Sequence, residues 1–230
     1  MALVLLHAFP LDSRMWRPQQ SFQPITPEIL GIASIDDAAD HVARLLDKRG
    51  IDRAVVGGLS RGGYIAMAFA RRHADRLNGL VLCDTNAAVD DEPGKRSRYQ
   101  MAERIEQEGI GFVPDIMLPR LLGDASFHER CELVEEVRQW ILAQDPGAIA
   151  AASIGMAERQ DSRPLLHSIQ VPVLAIAGQQ DNSYEATRAI AEAVPKGRFV
   201  SIPRAGHLSN LEQPTMFNDA LRQFLDKLQR

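Results

Sequence analysis

The stretch Val55-Val56-Gly57-Gly58-Leu59-Ser60-Arg61-Gly62-Gly63, continued by Tyr64-Ile65-Ala66-Met67-Ala68-Phe69-Ala70, decides the fold. Ala54 to Val56 is a short β-branched run suited to a buried strand, and Ile65 to Ala70, rich in Ala and Met, suits a helix. A chain that leaves a strand and enters a helix with almost no loop forces the apex residue into strained backbone geometry, where flanking side chains clash. Gly58-x-Ser60-x-Gly62 removes that clash two places either side of the apex. The Ser60 hydroxyl is lifted clear of the sheet, and the Arg61 backbone N–H stands at the positive start of a helix, where an oxyanion can be held. A serine between glycines also occurs in plain flexible turns. The strand before it and the small-residue helix after it favour a nucleophile.

Working outward, Ala2-Leu3-Val4-Leu5-Leu6 is a continuous apolar run ending at His7-Ala8-Phe9-Pro10, the pattern of a strand covered on both faces. Leu11 to Trp16 begins a loop and a short helix in which Ser13 is the expected cap and Trp16 packs inward. A weak strand is expected near Glu28 to Ile32. Ser34-Ile35-Asp36-Asp37 has the shape of a capping box and opens a helix whose apolar positions are Ala38, Val42, Leu45 and Leu46. Leu80 to Cys83 is another buried strand, ending at Asp84. From Asn86 to about Leu166 the β-branched runs stop. Helical periodicity over Ser97–Glu108, Phe112–Leu122, Phe127–Ala143 and Ala148–Arg159 predicts an inserted helical cap over about 86–166 of a single domain spanning 1–230. Val171 to Ala177 resumes the sheet. A helix near Tyr184–Val194, a strand at Arg198–Ile202 and a helix at Pro214–Leu228 complete it. Strands alternating with helices through short links imply an α/β fold with a mostly parallel sheet.

The composition excludes several classes of partner. With 45% hydrophobic and 24% charged residues and a net charge of −4, the 230-residue chain has no broad basic surface for nucleic acid or an anionic membrane. No apolar run approaches the roughly 20 residues of a membrane span. Met1 to Leu6 is too short for a signal sequence. Two cysteines, Cys83 and Cys131, form no disulfide framework, and a reducing, cytoplasmic compartment is expected.

A serine nucleophile needs a base, because its hydroxyl is almost wholly protonated at neutral pH. Among six histidines, His41, His73, His128 and His167 lie among charged neighbours on helices or in the cap. His207 follows the last strand, where loops at the carboxyl ends of a parallel sheet converge. It is the candidate base, with a structural histidine as the alternative. The imidazole needs an orienting acid. Asp181, after the strand Val173–Ala177, gives the chain order Ser…Asp…His. Asp84 competes from the neighbouring strand end, or holds loops there.

His7-Ala8-Phe9-Pro10-Leu11-Asp12, Gly58-Leu59-Ser60-Arg61-Gly62-Gly63, Gly178-Gln179-Gln180-Asp181 and Gly206-His207-Leu208 together resemble the α/β-hydrolase superfamily over nearly the whole chain. The segment Met156-Ala157-Glu158-Arg159-Gln160-Asp161-Ser162 is similar to small bacterial enzymes of the 3-oxoadipate enol-lactonase and carboxylesterase type. This resemblance implies an α/β-hydrolase fold and an oxyanion hole completed by the Phe9 backbone N–H beside that of Arg61. It makes His7 a loop-organising residue. The chain departs from the pattern at Ala8, where a glycine is usual. It also lacks the opening β-hairpin and the Asp-x-x-Gly-x-Gly loop, so a minimal sheet of about six strands is implied. Serine at the elbow resembles esterases rather than the haloalkane dehalogenases and epoxide hydrolases that place an aspartate there.

The chemistry so implied is hydrolysis of a small carboxylic ester or lactone through an acyl-enzyme by Ser60, Asp181 and His207, with no metal or organic cofactor needed. Ile116, Met117, Leu121, Trp140 and Met156 are candidate pocket residues, each equally a cap-core residue at helical spacing. Arg14, Arg61 and Arg120 are candidates for recognising a substrate carboxylate. Carbon–carbon bond hydrolysis, cofactor-free perhydrolysis and a non-catalytic ligand receptor on the same fold remain alternatives, and the protein is expected as a monomer or homodimer.

Overall fold

A computed structural model describes residues 1–229. Five strands, β1 (Ala2–Leu6), β2 (Ala54–Leu59), β3 (Leu77–Cys83), β4 (Val173–Gly178) and β5 (Gly197–Ile202), lie side by side in chain order. Every neighbouring pair is parallel. Parallel strands require crossover connections, and helices supply them: α1 (Ile35–Lys48) after β1, α2 (Arg61–Arg72) after β2 and α8 (Tyr184–Ala193) after β4. Between β3 and β4 the chain instead makes five helices: α3 (Glu92–Glu108), α4 (Val113–Leu121), α5 (Asp124–Glu129), α6 (Cys131–Leu142) and α7 (Pro146–Ala157). A short helix, α9 (Ser209–Glu212), and α10 (Pro214–Leu228) follow β5.

Alternate residues of each strand feed two cores. Val4, Leu6, Val56, Leu80 and Leu82 pack with the apolar stripes of α1 and α2. Leu3, Leu5, Val55, Val81 and Ile176 face α10 and the inserted helices. Burial on both faces is what continuous apolar runs such as Ala2-Leu3-Val4-Leu5-Leu6 specify. Ser34 caps α1, its hydroxyl accepting the Asp37 N–H at 3.2 Å.

Four expectations are corrected. The sheet has five strands among the described residues, not six. Glu28–Ile32 forms no strand, and the only trace of a sixth strand is a parallel bridge from Val4 to Ile25. Ile25 donates to the Leu3 carbonyl and accepts from the Leu5 N–H, but Pro24 and Pro27 on either side have no N–H to extend the ladder. The segment Ser13–Phe22 is a ten-residue 3-10 helix capped by Asp12, not Ser13; the Asp12 carboxylate accepts the Arg14 N–H. Trp16 does pack inward, wholly buried against Phe217. The helix expected over Phe127–Ala143 is two, broken at Arg130, where φ is −138° and the guanidinium donates to the carbonyls of Leu211 and Glu212.

Candidate active site

Ser60 stands between β2 and α2 with φ 57° and ψ −116°, a left-handed conformation that a non-glycine residue adopts only under constraint. Its neighbours supply that constraint. A Cβ on Gly58 would lie 2.1 Å from the Gly62 carbonyl carbon, and one on Gly62 would lie 2.1 Å from the Leu6 carbonyl oxygen. Only glycine lets the helix start so close to β1 and β2. The Ser60 N–H donates to the Cys83 carbonyl at 2.9 Å, while its own carbonyl accepts the Gly63 and Tyr64 N–H groups and the Thr85 hydroxyl. The apex is therefore held from both sides. The backbone N–H groups of Phe9 and Arg61 have no acceptor among the described residues.

His207 lies in the loop after β5, and its Nδ1 is 2.9 Å from Asp181 Oδ1. Asp181 comes from the turn after β4, and its second oxygen accepts the Ser183 hydroxyl. Burial opposes the charge on Asp181, yet the His207 imidazole and these hydrogen bonds outweigh it and hold the carboxyl below the usual range. Burial likewise opposes charge on His207. The Asp181 carboxylate outweighs that opposition, helped by the negative groups at Asp84 and Glu212, and the imidazole titrates above its ordinary value of 6.5.

Asp84 is fully buried with φ 46°, and it accepts the Gly178 N–H at 2.8 Å and the Ser209 hydroxyl. Burial and the nearby Asp181 charge push its carboxyl well above the usual range. It ties the end of β4 to α9 and makes no hydrogen bond with His207. Of the two carboxylates left open by the sequence, Asp181 is the one paired with the imidazole.

Ser60, Asp181 and His207 open on one cavity of about 230 Å³ under the inserted helices. Ser60 Oγ makes no hydrogen bond to another described residue. Phe9, Met117, Leu121 and Met156 line the cavity. Ile116 and Trp140 do not. Trp140 is buried where α6 crosses the 3-10 segment, its ring beneath the guanidinium groups of Arg14 and Arg17. Tyr64, Ser97, Arg98, Met101, Ser153, Asn182 and Ser183 also line it and were not anticipated. Those on α2, α3 and α7 have the spacing of any amphipathic helix, so no local signal distinguishes them.

Two of the three candidate arginines are committed elsewhere. Arg61 is fully buried, donating to the carbonyls of Ile29 and Ile32, and burial alone lowers it to about 10. Arg14 forks onto Asp12. Arg120 is exposed, lines the cavity and forms no ion pair among the described residues. His7 is buried with its Nε2 accepting the Ile29 N–H at 3.1 Å, and burial lowers it to about 4. It is a neutral imidazole organising the loop after β1.

The sequence profile of the alpha/beta hydrolase family matches residues 3–220. The chain belongs to that family. Among solved structures it is similar to a thermophilic esterase from Thermogutta terrifontis, described with malate bound, at 40% identity and a TM-score of 0.95, covering 99% of this chain and 90% of that one. Among curated proteins it is 26% identical to 3-oxoadipate enol-lactonase 2 of Acinetobacter baylyi, over 86% of this chain and 73% of that protein. It is also 27% identical to 2-succinyl-6-hydroxy-2,4-cyclohexadiene-1-carboxylate synthase of an Enterobacter species, over 97% of this chain and 91% of that protein. Hydrolase and esterase relatives thus sit beside a synthase on one fold, and family membership alone leaves the reaction open. Among the described residues no helix is long and apolar enough to cross a membrane.

Proposed function

We propose that this alpha/beta hydrolase is a serine hydrolase of small carboxylic esters or lactones. The observation that carries the reading is the strained Ser60 sharing one cavity with the His207–Asp181 pair. Neutral His207 accepts the Ser60 proton as Oγ attacks the carbonyl carbon, and the Phe9 and Arg61 N–H groups receive the oxyanion. Asp181 fixes the proton on Nδ1, which leaves Nε2 as the base. The imidazolium then protonates the leaving alkoxide, forming the acyl-enzyme. Water, deprotonated by the same imidazole, attacks the acyl carbon and releases the acid and Ser60. For a lactone the leaving group stays tethered and the product is a hydroxy acid.

The inserted helices α3–α7 act as a cap that shields this chemistry from solvent. A cavity of about 230 Å³ falls below the roughly 300–1,000 Å³ of pockets for drug-sized ligands, so short acyl groups are favoured. Arg120 at the wall favours a substrate that also carries a carboxylate, and the malate described with the Thermogutta terrifontis esterase supports that preference. The free thiols, Cys83 buried and Cys131 exposed, fit a reducing cytoplasm.

Hydrolysis of p-nitrophenyl esters from acetate to octanoate, by wild type and Ser60→Ala, tests the reading. Turnover that is fastest for acetate or butyrate and lost in the variant is expected. Equal turnover by Ser60→Ala contradicts it. Covalent labelling of Ser60 by a fluorophosphonate without ester turnover points instead to a lactone substrate or to carbon–carbon bond hydrolysis by the same residues.

A further inference from the structure

Glu212 is 3% exposed, lies five residues after His207 and plays no part in the reaction just described. Its Oε1 accepts the Gly206 N–H at 2.7 Å, in the His207 loop. Its Oε2 accepts the Gly123 N–H at 2.8 Å, in the α4–α5 turn of the inserted helices, and the Ser126 hydroxyl at 2.6 Å, in the first turn of α5. One carboxylate therefore joins the loop of the candidate base to the layer that roofs the cavity. The same junction is closed by the Leu208 N–H donating to the Leu121 carbonyl at 2.9 Å, and Leu121 lines the cavity. At Gly206 a Cβ would lie 2.5 Å from the Gly123 nitrogen, so the two segments touch backbone to backbone.

We infer that Glu212 is a positioning residue for His207: its carboxylate braces the His207 loop against the α4–α5 turn and, when ionised, adds a negative charge near the imidazole. The inference rests on the serine hydrolase reading above. Every partner of the carboxylate donates, so the group is used as an acceptor at both oxygens. An isosteric glutamine cannot replace it. Turned one way, its amide N–H meets the Gly206 N–H; turned the other, it meets the Gly123 N–H.

The titratable groups facing His207 are Asp181 from the β4–α8 turn, Asp84 from the end of β3 and Glu212 from α9, of which Asp181 acts most strongly on the imidazole. Burial raises the Glu212 carboxyl above its ordinary value, opposed by the Ser126, Gly123 and Gly206 hydrogen bonds and by Arg130, the nearby cation fixed by the Leu211 and Glu212 carbonyls. Removing the Glu212 charge leaves the imidazolium less stabilised, and the base titrates lower.

The experiment compares wild type, Glu212→Gln and Glu212→Asp by pH–rate profiles on p-nitrophenyl acetate and by NMR titration of 15N-labelled His207. Glu212→Gln is expected to lower kcat by about tenfold or more with KM changed less than about twofold, because misplacement of a base costs rate rather than binding. The acid limb and the His207 titration should both move to lower pH, by about half a unit or more. Glu212→Asp, which keeps the charge, should return the limb toward its wild-type position. A limb and titration unmoved in Glu212→Gln, whatever the change in melting temperature, overturn the inference. Should that variant not fold, Ser126→Ala removes one donor and keeps the charge. A kcat lowered by about threefold or more supports the brace, and wild-type kinetics overturn it. Wild-type protein without Ser60 reactivity counts against the hydrolase reading, while the His207 titration still tests Glu212.

Discussion

Ser60 acts only if its backbone is held where serine does not rest. The two glycines that allow this are packed against carbonyl groups with no space for a methyl, so Gly62→Ala must shift α2 away from β1. Loss of stability by about 1–3 kcal/mol and loss of Ser60 reactivity are expected together, measured by denaturant unfolding and fluorophosphonate labelling. The two buried aspartates separate at the same scale. Asp181→Asn leaves the imidazole in the wrong tautomer and should lower kcat by about 10⁴, the loss seen when another triad enzyme is so altered. Asp84→Asn still offers an oxygen to the Gly178 N–H and an amide to Ser209, so its kcat should stay within about tenfold of wild type. Steady-state kinetics on p-nitrophenyl acetate distinguish them, and equal losses would contradict the pairing of Asp181 with His207. Ser60, Asp181 and His207 were legible in the sequence because each ends a recognisable strand, and the strand ends converge. Glu212 was not, since its hydrogen bonds to Gly123 and Ser126 are made across the fold rather than along the chain.

At the scale of elements, apolar runs and capping residues gave the strands and α1 closely. What periodicity does not contain is the identity of the neighbour. Met117, Met156, Ile116 and Trp140 all fit helical faces, but α6 lies over Arg14 and Arg17, which takes Trp140 out of the cavity. Trp140→Ala should therefore cost about 3–5 kcal/mol of stability while leaving the acyl-chain profile unchanged. Met156→Ala should move the profile toward longer chains, because Met156 lines the cavity. Unfolding curves and the ester panel read both. The missing sixth strand has the same origin: Ile25 can pair, but its proline neighbours cannot, and an isolated apolar run carries no register with a distant strand.

For the whole molecule, the electrostatics around His207 set the working pH. The base must be neutral to accept the Ser60 proton, and its pKa is raised by Asp181 against the opposing effect of burial. Activity is thus predicted to fall as pH drops through a midpoint above 6.5, the ordinary imidazole value, with kcat/KM reading the free enzyme. A midpoint below that value would contradict the charge arrangement. Length and composition indicated one domain with a full core, and the order Ser60, Asp181, His207 along a parallel sheet brought the three to one edge. The shape of the cavity was not legible, because the roof above it comes from helices whose packing depends on contacts such as Glu212 to Gly123.

The central claim is that Ser60 carries the acyl group. Rapid acid quench during turnover of p-nitrophenyl butyrate, followed by peptide mass mapping, measures this directly. The account predicts a butyryl mass increment confined to the peptide containing Ser60 and absent in Ser60→Ala. Turnover with no increment, or an increment at another residue, would contradict it.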